Sequence, residues 1–182
     1  MRMRLISGEF KGRFINVPKS DLIRPTTDRV RETLFNLLIN KIDFDNILVA
    51  DIYSGSGSLG LECLSRGAVE IHFVEKNFVI YKNLEQNIAS LQIEGKCKIF
   101  KMPAIKFSSM SNHLKYDLII ADPPFFKDDI YEVVKNLKAN EFLNSEASII
   151  VERSIQTKDK DISNFEKEPF KIIGDTCLYE LK

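Results

Sequence analysis

Two short stretches hold residue types that could do chemistry together. The first is Asp51-Ile52-Tyr53-Ser54-Gly55-Ser56-Gly57-Ser58-Leu59-Gly60. It follows the apolar run Ile47-Leu48-Val49-Ala50 and precedes a helical pattern. Its glycines thus meet the G-x-G-x-x-G spacing in a strand–turn–helix setting. Glycine lets the backbone approach a ligand closely and take positive φ. Glu75 closes the next apolar run, about 20 residues on, where a carboxylate can accept hydrogen bonds from ribose hydroxyls. A dinucleotide and S-adenosylmethionine (SAM) both fit such a loop, and Asp51 separates them. A pyrophosphate there would meet a fixed negative charge. SAM brings a sulfonium and an α-ammonium, for which the same charge is attractive. The residues therefore favour SAM.

The second stretch is Asp122-Pro123-Pro124-Phe125, after the run Asp117-Leu118-Ile119-Ile120-Ala121. Two prolines stiffen this turn and fix its carbonyls. A carboxylate, a rigid carbonyl and an aromatic ring offer two acceptors and a stacking face. That set suits a planar group bearing an exocyclic NH2. Accepting both N–H bonds enriches the nitrogen and aims its lone pair at a methyl donor. In-line transfer needs this positioning more than a strong base. An ordinary carboxyl pKa near ~4 would make Asp122 a poor base, so orientation and charge stabilisation are its expected tasks. The proton is expected to leave to water late in the reaction.

These stretches need a scaffold that sets them at one edge. Short apolar runs at 47–50, 71–74, 98–100, 118–121 and 148–151 alternate with helical patterns at 59–66, 78–91 and 130–137. The runs are too apolar for a solvated face, which predicts a mostly parallel sheet covered on both sides. Phe170–Ile173, Gly174-Asp175 and Cys177–Leu181 predict a closing β-hairpin. The expected fold is therefore α/β: a doubly wound, Rossmann-like, mostly parallel seven-stranded sheet with a C-terminal antiparallel hairpin. Leu5–Gly8 and Lys11–Ile15 predict two short strands in a small N-terminal hairpin. Thr27-Asp28 offers an N-cap for a helix reaching about Ile42. The division expected is a basic, RNA-contacting extension over 1–25 and a catalytic domain over 26–182.

The chain has 182 residues, with 26 Lys+Arg against 26 Asp+Glu. Its neutral sum hides an asymmetry. Residues 1–36 carry eight basic and four acidic residues, or +4, and the rest carries 18 and 22, or −4. A cationic strand-and-loop segment before a catalytic domain suits a phosphate backbone. Phe10 and Phe14 among these charges could stack on bases or pack beneath the hairpin. Three scattered cysteines fit reduced thiols in a cytoplasmic protein, and two histidines supply no metal-ligand spacing. No run approaches the ~18 apolar residues of a membrane span. No signal peptide and no oligomerisation signal are seen, so a cytoplasmic monomer without metal is expected.

Arg24-Pro25-Thr26-Thr27-Asp28-Arg29-Val30-Arg31-Glu32-Thr33-Leu34-Phe35-Asn36 resembles the signature of the bacterial 16S ribosomal RNA guanine-N2 methyltransferases (RsmD family). The likeness continues through Asp51–Gly60, Leu61–Ala68, Asp122–Phe125, Val151–Ser154 and the Gly174-Asp175-Thr176 hairpin. It implies SAM-dependent methylation of the exocyclic N2 of a guanine in 16S rRNA, of the guanine(966) type, in an assembling or assembled small subunit. It also implies a set of roles. Asp51, Tyr53, Ser54, Gly55, Gly57, Gly60, Glu75, Lys76, Pro103, Ala104, Thr26 and Arg29 would bind the cofactor. Asp122, Pro123, Pro124 and Phe125 would hold the guanine. Arg2, Arg4, Lys11, Arg13, Arg24 and Arg31 would contact RNA. Arg29 and Arg31 are two apart and cannot share a helical face, so one could bind RNA while the other anchors the loop.

Two positions depart from the pattern. Pro103 stands where such domains often hold an acidic or amide partner for adenine, so a backbone carbonyl or water must replace it. Glu9 stands in an otherwise basic stretch. The alternatives are an amino methyltransferase acting on another rRNA guanine or on DNA adenine, and a non-catalytic RNA-binding assembly protein. DNA is disfavoured by the lack of an insertion long enough for target recognition. The non-catalytic reading is disfavoured by Asp51, Gly55, Gly57 and Asp122 together.

Overall fold

The computed structural model describes residues 1–18, 28–124 and 127–182. Five apolar runs form parallel strands: β3 (Leu48–Ile52), β4 (Glu70–Val74), β5 (Cys97–Phe100), β6 (Tyr116–Ala121) and β7 (Leu143–Ser154). The chain ends in β8 (Lys171–Ile173) and β9 (Thr176–Leu181), antiparallel to each other, with β9 antiparallel to β7. The seven-stranded order is β5-β4-β3-β6-β7-β9-β8. The order runs outward in both directions from β3 and β6, which makes the gap between them the switch point where open α/β sheets bind ligands.

Side-chain alternation splits the interior into two layers. Val49, Ile71, Phe73, Leu118, Ile120 and Ile150 face α1 (Asp28–Leu38), α2 (Ser58–Ser65) and α3 (Phe78–Leu91). Ala50, Ile52, Ile119, Ala121, Ile149 and Val151 face α4 (Ala104–Ser108), α5 (Asp129–Ala139) and α6 (Lys158–Phe165). Strands buried on both faces need continuous apolar sequence, which is why these runs are legible. The doubly wound sheet and its C-terminal hairpin match the expected fold.

The N-terminal hairpin exists with different strands. β1 (Arg2–Arg4) pairs with β2 (Phe14–Asn16), while residues 5–13 form turns. The reason lies in α2. The wholly buried Glu62 accepts from the backbone N–H groups of Ile6 (2.8 Å) and Ser7 (3.1 Å). Ser65 Oγ accepts from Phe10 N at 3.0 Å, and Ser65 O from Glu9 N at 2.7 Å. Groups that a longer ladder would use are thus committed to the helix. Met3, Leu5, Phe10, Ile15 and Val17 join the α1–α3 layer, so the extension shares the core of the sheet domain.

Other differences are local. Regular helix α1 stops at Leu38, although Ile42 N still donates to Leu38 O at 2.8 Å. β7 extends well before residue 148 and after residue 151. The five-residue helix α4 is too short to show periodicity.

Candidate functional site

The site follows from strand register. Ile52 pairs with Val74 on one side and Ala121 on the other, and Ala121 pairs with Val151. The next residues, Tyr53, Glu75, Asp122 and Glu152, therefore follow one row at the carboxyl edge of the sheet. Three of the four are acids, and Asp51 lies two residues before Tyr53.

The glycine loop is held by two of these acids. Asp51 Oδ2 accepts from Gly60 N at 2.8 Å. Glu75 accepts from Gly55 N at 3.2 Å and from Asn77 N at 2.7 Å. Ser54 N donates to Val74 O at 3.1 Å, and Gly57 N to Ser54 O at 2.7 Å. Asp51 is 2 % exposed, behind the loop rather than lining its mouth, because its side chain faces the α2 layer. Burial pushes its carboxyl up to about 7, and the charges of Asp122 and Glu75 add to the rise. Glu75 is also raised, chiefly by burial. Each Glu75 oxygen takes one of these N–H groups and keeps acceptor capacity beyond it.

Asp51 supplies a pH prediction. Its folded pKa lies above the ordinary 3.8. Its stabilising contribution is therefore full below about pH 4 and is lost as pH rises through 7. Asp51→Asn keeps an acceptor for Gly60 and removes the charge. The variant should gain on wild type as pH rises, by roughly 4 kcal/mol at most above pH 8. Urea midpoints of both proteins between pH 4 and 8 measure this, and parallel curves would refute it.

The loop glycines divide by task. A Cβ on Gly57 would lie 2.4 Å from Leu84 Cδ1, and Gly57 has φ +83°. A Cβ on Gly60 would lie 2.5 Å from Phe73 Cε1 and 3.0 Å from Asp51 Oδ2. Both positions face the packed layer, so as cofactor contacts they act through loop shape. Gly55, with φ +54°, differs: the nearest atom to its Cβ would be Tyr53 O at 3.9 Å. This is open space beside the loop backbone, as a bound ligand requires. Gly57→Ala should cost about 2–5 kcal/mol through left-handed strain and overpacking. Denaturation of the cofactor-free protein tests it, and an unchanged midpoint would contradict the packing account.

Asp122 is half-buried, Pro123 buried and Pro124 exposed. Lys127 N donates to Pro124 O at 2.9 Å, so that carbonyl is committed within the turn. The segment after the turn is held from below. Arg153 NH1 donates to Lys127 O at 3.3 Å, and Arg153 Nε to Asp161 Oδ1 at 2.9 Å. Tyr131 Oη and Thr157 Oγ1 both donate to Asp161 at 2.7 Å. Arg153 and Asp161 are wholly buried, and the guanidinium lies 5.7 Å from the Tyr131 ring centroid. In sequence, Lys158-Asp159-Lys160-Asp161 reads as a solvated loop or a helix start; it does start α6, but the run gives no sign that Asp161 is buried. The available signal was position: Asp161 stands four residues before Phe165, on the face of α6 that meets the core.

The remaining expected residues fall in different settings. The Tyr53 phenol is pushed up by burial and by the Asp129 carboxylate beside it. Ser54 is buried. The Lys76 ammonium is exposed and lowered, first by its contact with Lys127, another cation. Pro103 N-caps α4, and its carbonyl accepts from Lys106 N and Phe107 N at 3.0 and 3.1 Å. That carbonyl is committed to the helix, and the adjacent Ala104 is buried without a polar side chain. Arg29 is exposed on α1.

Arg2, Arg4 and Phe14 share the outward face of the hairpin while Met3 and Ile15 point inward. Phe10 is buried. Lys11 is exposed, and Arg13 donates to Ser90 O at 2.8 Å. Arg31 corrects the expected RNA contact. It is wholly buried and donates to Arg4 O at 2.8 Å, which makes it the anchor between α1 and the hairpin. Arg24, Thr26, Thr27 and Phe125 lie outside the described residues. Among the described residues, no His/Cys/Asp/Glu group is placed to hold a metal, and no helix is long and apolar enough to cross a membrane.

A sheet of this order, with a glycine loop at the switch point and an acidic turn after β6, has the architecture of the Rossmann-like methyltransferases. Solved structures agree. The Escherichia coli protein yhhF, solved as a candidate methyltransferase, is 31% identical with TM-score 0.81, covering 100% of this chain and 99% of its own. At 18% identity, the ribosomal protein L11 methylase of Lactobacillus delbrueckii subsp. bulgaricus shares the fold, with TM-score 0.68 over 86% of this chain and 80% of its own.

The chain belongs to the family described as conserved hypothetical protein 95, whose model matches residues 3–182. This is the family of RsmD-type small-subunit ribosomal RNA methyltransferases. The ribosomal RNA small subunit methyltransferase D of Escherichia coli K12 is 37% identical over 155 residues, 85% of this chain and 76% of that protein. Its Haemophilus influenzae namesake is 36% identical over 166 residues, 88% and 81% of the two chains.

Proposed function

We propose that this protein transfers a methyl group from SAM to the exocyclic N2 of a guanine in the 16S rRNA of the small ribosomal subunit. The observation that carries the reading is the juxtaposition of Asp122-Pro123 with the glycine loop, one row beyond Ile52 and Ala121. The relatives named for small-subunit rRNA supply the substrate class.

The residues present fit SAM. Gly55 leaves space at the loop backbone, and Glu75 keeps acceptor capacity for ribose hydroxyls. Asp51 places negative charge behind the loop, where it attracts a cationic ligand. That attraction draws the Asp51 carboxyl back down from about 7, so SAM affinity rises with pH across neutrality. When bound, SAM supplies the electrophilic methyl. Asp122 and the Pro123 carbonyl accept the two N–H bonds of the guanine amino group and fix its direction. Water takes the released proton. Phe125 is assigned to ring stacking by the family resemblance.

In this reading, residues 1–25 form the RNA-contacting arm and residues 26–182 the catalytic domain. Arg2, Arg4 and Lys11 face the RNA, and Arg24 joins them by resemblance. The protein works as a cytoplasmic monomer without metal, on naked rRNA, an assembly intermediate or the finished subunit. Incubation with methyl-labelled SAM and, separately, naked 16S rRNA, small subunits and DNA tests the reading. Label is expected in rRNA in at least one of the first two samples. Label in DNA alone would overturn it.

A further inference from the structure

The first turn of α3 exposes aromatic surface that the site does not use. Phe78 is 57 % exposed and Val79 69 % exposed. The Phe78 and Tyr81 rings are stacked, with centroids 6.5 Å apart and an interplanar angle of 19°. Lys82 Nζ lies 5.8 and 5.6 Å from the two centroids, and Lys101 Nζ 5.0 and 5.8 Å. Glu85 takes the Tyr81 hydroxyl (2.6 Å) and Lys82 Nζ (2.7 Å), which fixes one ring and one cation from the flank. Lys101 has no carboxylate at ion-pair distance among the described residues, and Glu85 feels its charge from further off.

The position of this cluster matters as much as its composition. Phe78 follows Asn77, whose N–H is bound by Glu75, and Lys101 follows the last residue of β5. The cluster therefore stands on the carboxyl edge of the sheet, one short step outside the glycine loop. α3 also receives the N-terminal hairpin further along, where Asn16 N donates to Asn87 Oδ1 at 2.8 Å and Arg13 to Ser90 O. One helix thus links the basic hairpin face to an aromatic–cation surface at the site rim.

A ring more than half exposed, with ammonium groups over it, can meet both halves of a nucleotide: the base can stack and the phosphate can pair. A duplex hides its base faces, so the occupant must be unpaired. We propose that Phe78, Tyr81 and Lys101 form a docking platform for an unpaired base and its phosphate in the RNA strand that carries the target. The proposal rests on the RNA reading above and extends it to a second contact region, on α3 and the β5 edge. Its partner is single-stranded RNA, chosen by charge complementarity and by the exposed stacking face.

The test is binding of a 5′-labelled single-stranded oligoribonucleotide of mixed sequence, and of the same strand annealed to its complement, to the full chain. Phe78→Ala should weaken single-strand binding about tenfold and leave duplex binding unchanged. Phe78→Trp should restore it. Lys101→Gln should lower the slope of log affinity against log salt by about 0.7. SAM affinity, read by calorimetry, should be the same in all variants. Unchanged single-strand affinity in Phe78→Ala would overturn the platform, and so would a matching fall in SAM affinity, which would give the rings to the cofactor pocket. If wild type methylates rRNA and Phe78→Ala binds RNA normally, the platform fails alone. If wild type neither binds nor methylates RNA, the functional reading fails and the platform with it.

Discussion

Asp122→Ala is expected to lower methyl transfer about a thousandfold while leaving SAM affinity within about twofold. The asymmetry follows from geometry. Asp122 stands after β6, across from the loop, and the bonds from Gly60 N to Asp51 and from Gly55 N to Glu75 do not involve it. On the proposed function, what is lost is the carboxylate that would orient the amino group beside the Pro123 carbonyl, while the Pro124 carbonyl stays bound to Lys127. Asp122→Asn sharpens the test. An amide oxygen still accepts one N–H but cannot take a proton at neutral pH. Partial activity in Asp122→Asn supports orientation as the role. A variant as inactive as Asp122→Ala would make Asp122 a proton acceptor instead. Single-turnover rates at saturating SAM separate these outcomes, and a near-wild-type rate in Asp122→Ala would remove the residue from the mechanism.

The second large effect is expected at the buried Arg153–Asp161 pair. Asp161→Ala leaves the guanidinium without its carboxylate inside the protein and removes the acceptor of the Tyr131 hydroxyl, while Thr157 Oγ1 keeps the Ser154 carbonyl at 2.9 Å. Breaking one partner of such a pair costs about 3–5 kcal/mol. For a chain of this size that is roughly a 10 °C fall in Tm. Arg153→Met with Asp161→Leu removes both charges and should recover most of the loss, because desolvation and attraction then vanish together. The same pair holds the Lys127 carbonyl beyond the Asp122 turn, so the stabilised double variant should fold yet transfer methyl more slowly. Thermal unfolding followed by a rate measurement on the double variant checks both parts. An unshifted Tm in Asp161→Ala would contradict the first.

The sheet was legible because its strands are covered on both faces and so are written in nearly unbroken apolar sequence. The glycine loop and the acids at Glu75 and Asp122 were legible because strand ends and turn residues carry local signals. What escaped depends on contacts distant in sequence. Glu62 looks like an ordinary helical acid until the backbone of Ile6 and Ser7 docks on it. Asp161 looks solvated until Arg153 reaches it. Arg31 looks like an RNA ligand until the hairpin covers it. Charge along the chain indicated a basic segment but could not tell which of its arginines would be buried. Asp51 shows the reverse case: its type and spacing were informative, yet its aim was set by the layer it faces.

The proposed function turns on one atom, the exocyclic N2 of a guanine in small-subunit rRNA. The most direct measurement is to methylate that RNA, naked and in subunits, with labelled SAM, digest it to nucleosides and identify the labelled product by chromatography and mass. Label is expected in N2-methylguanosine at a single site, and is expected to be absent with Asp122→Ala. Label in a ring-methylated guanine or in a methylated adenine would rule out transfer to N2.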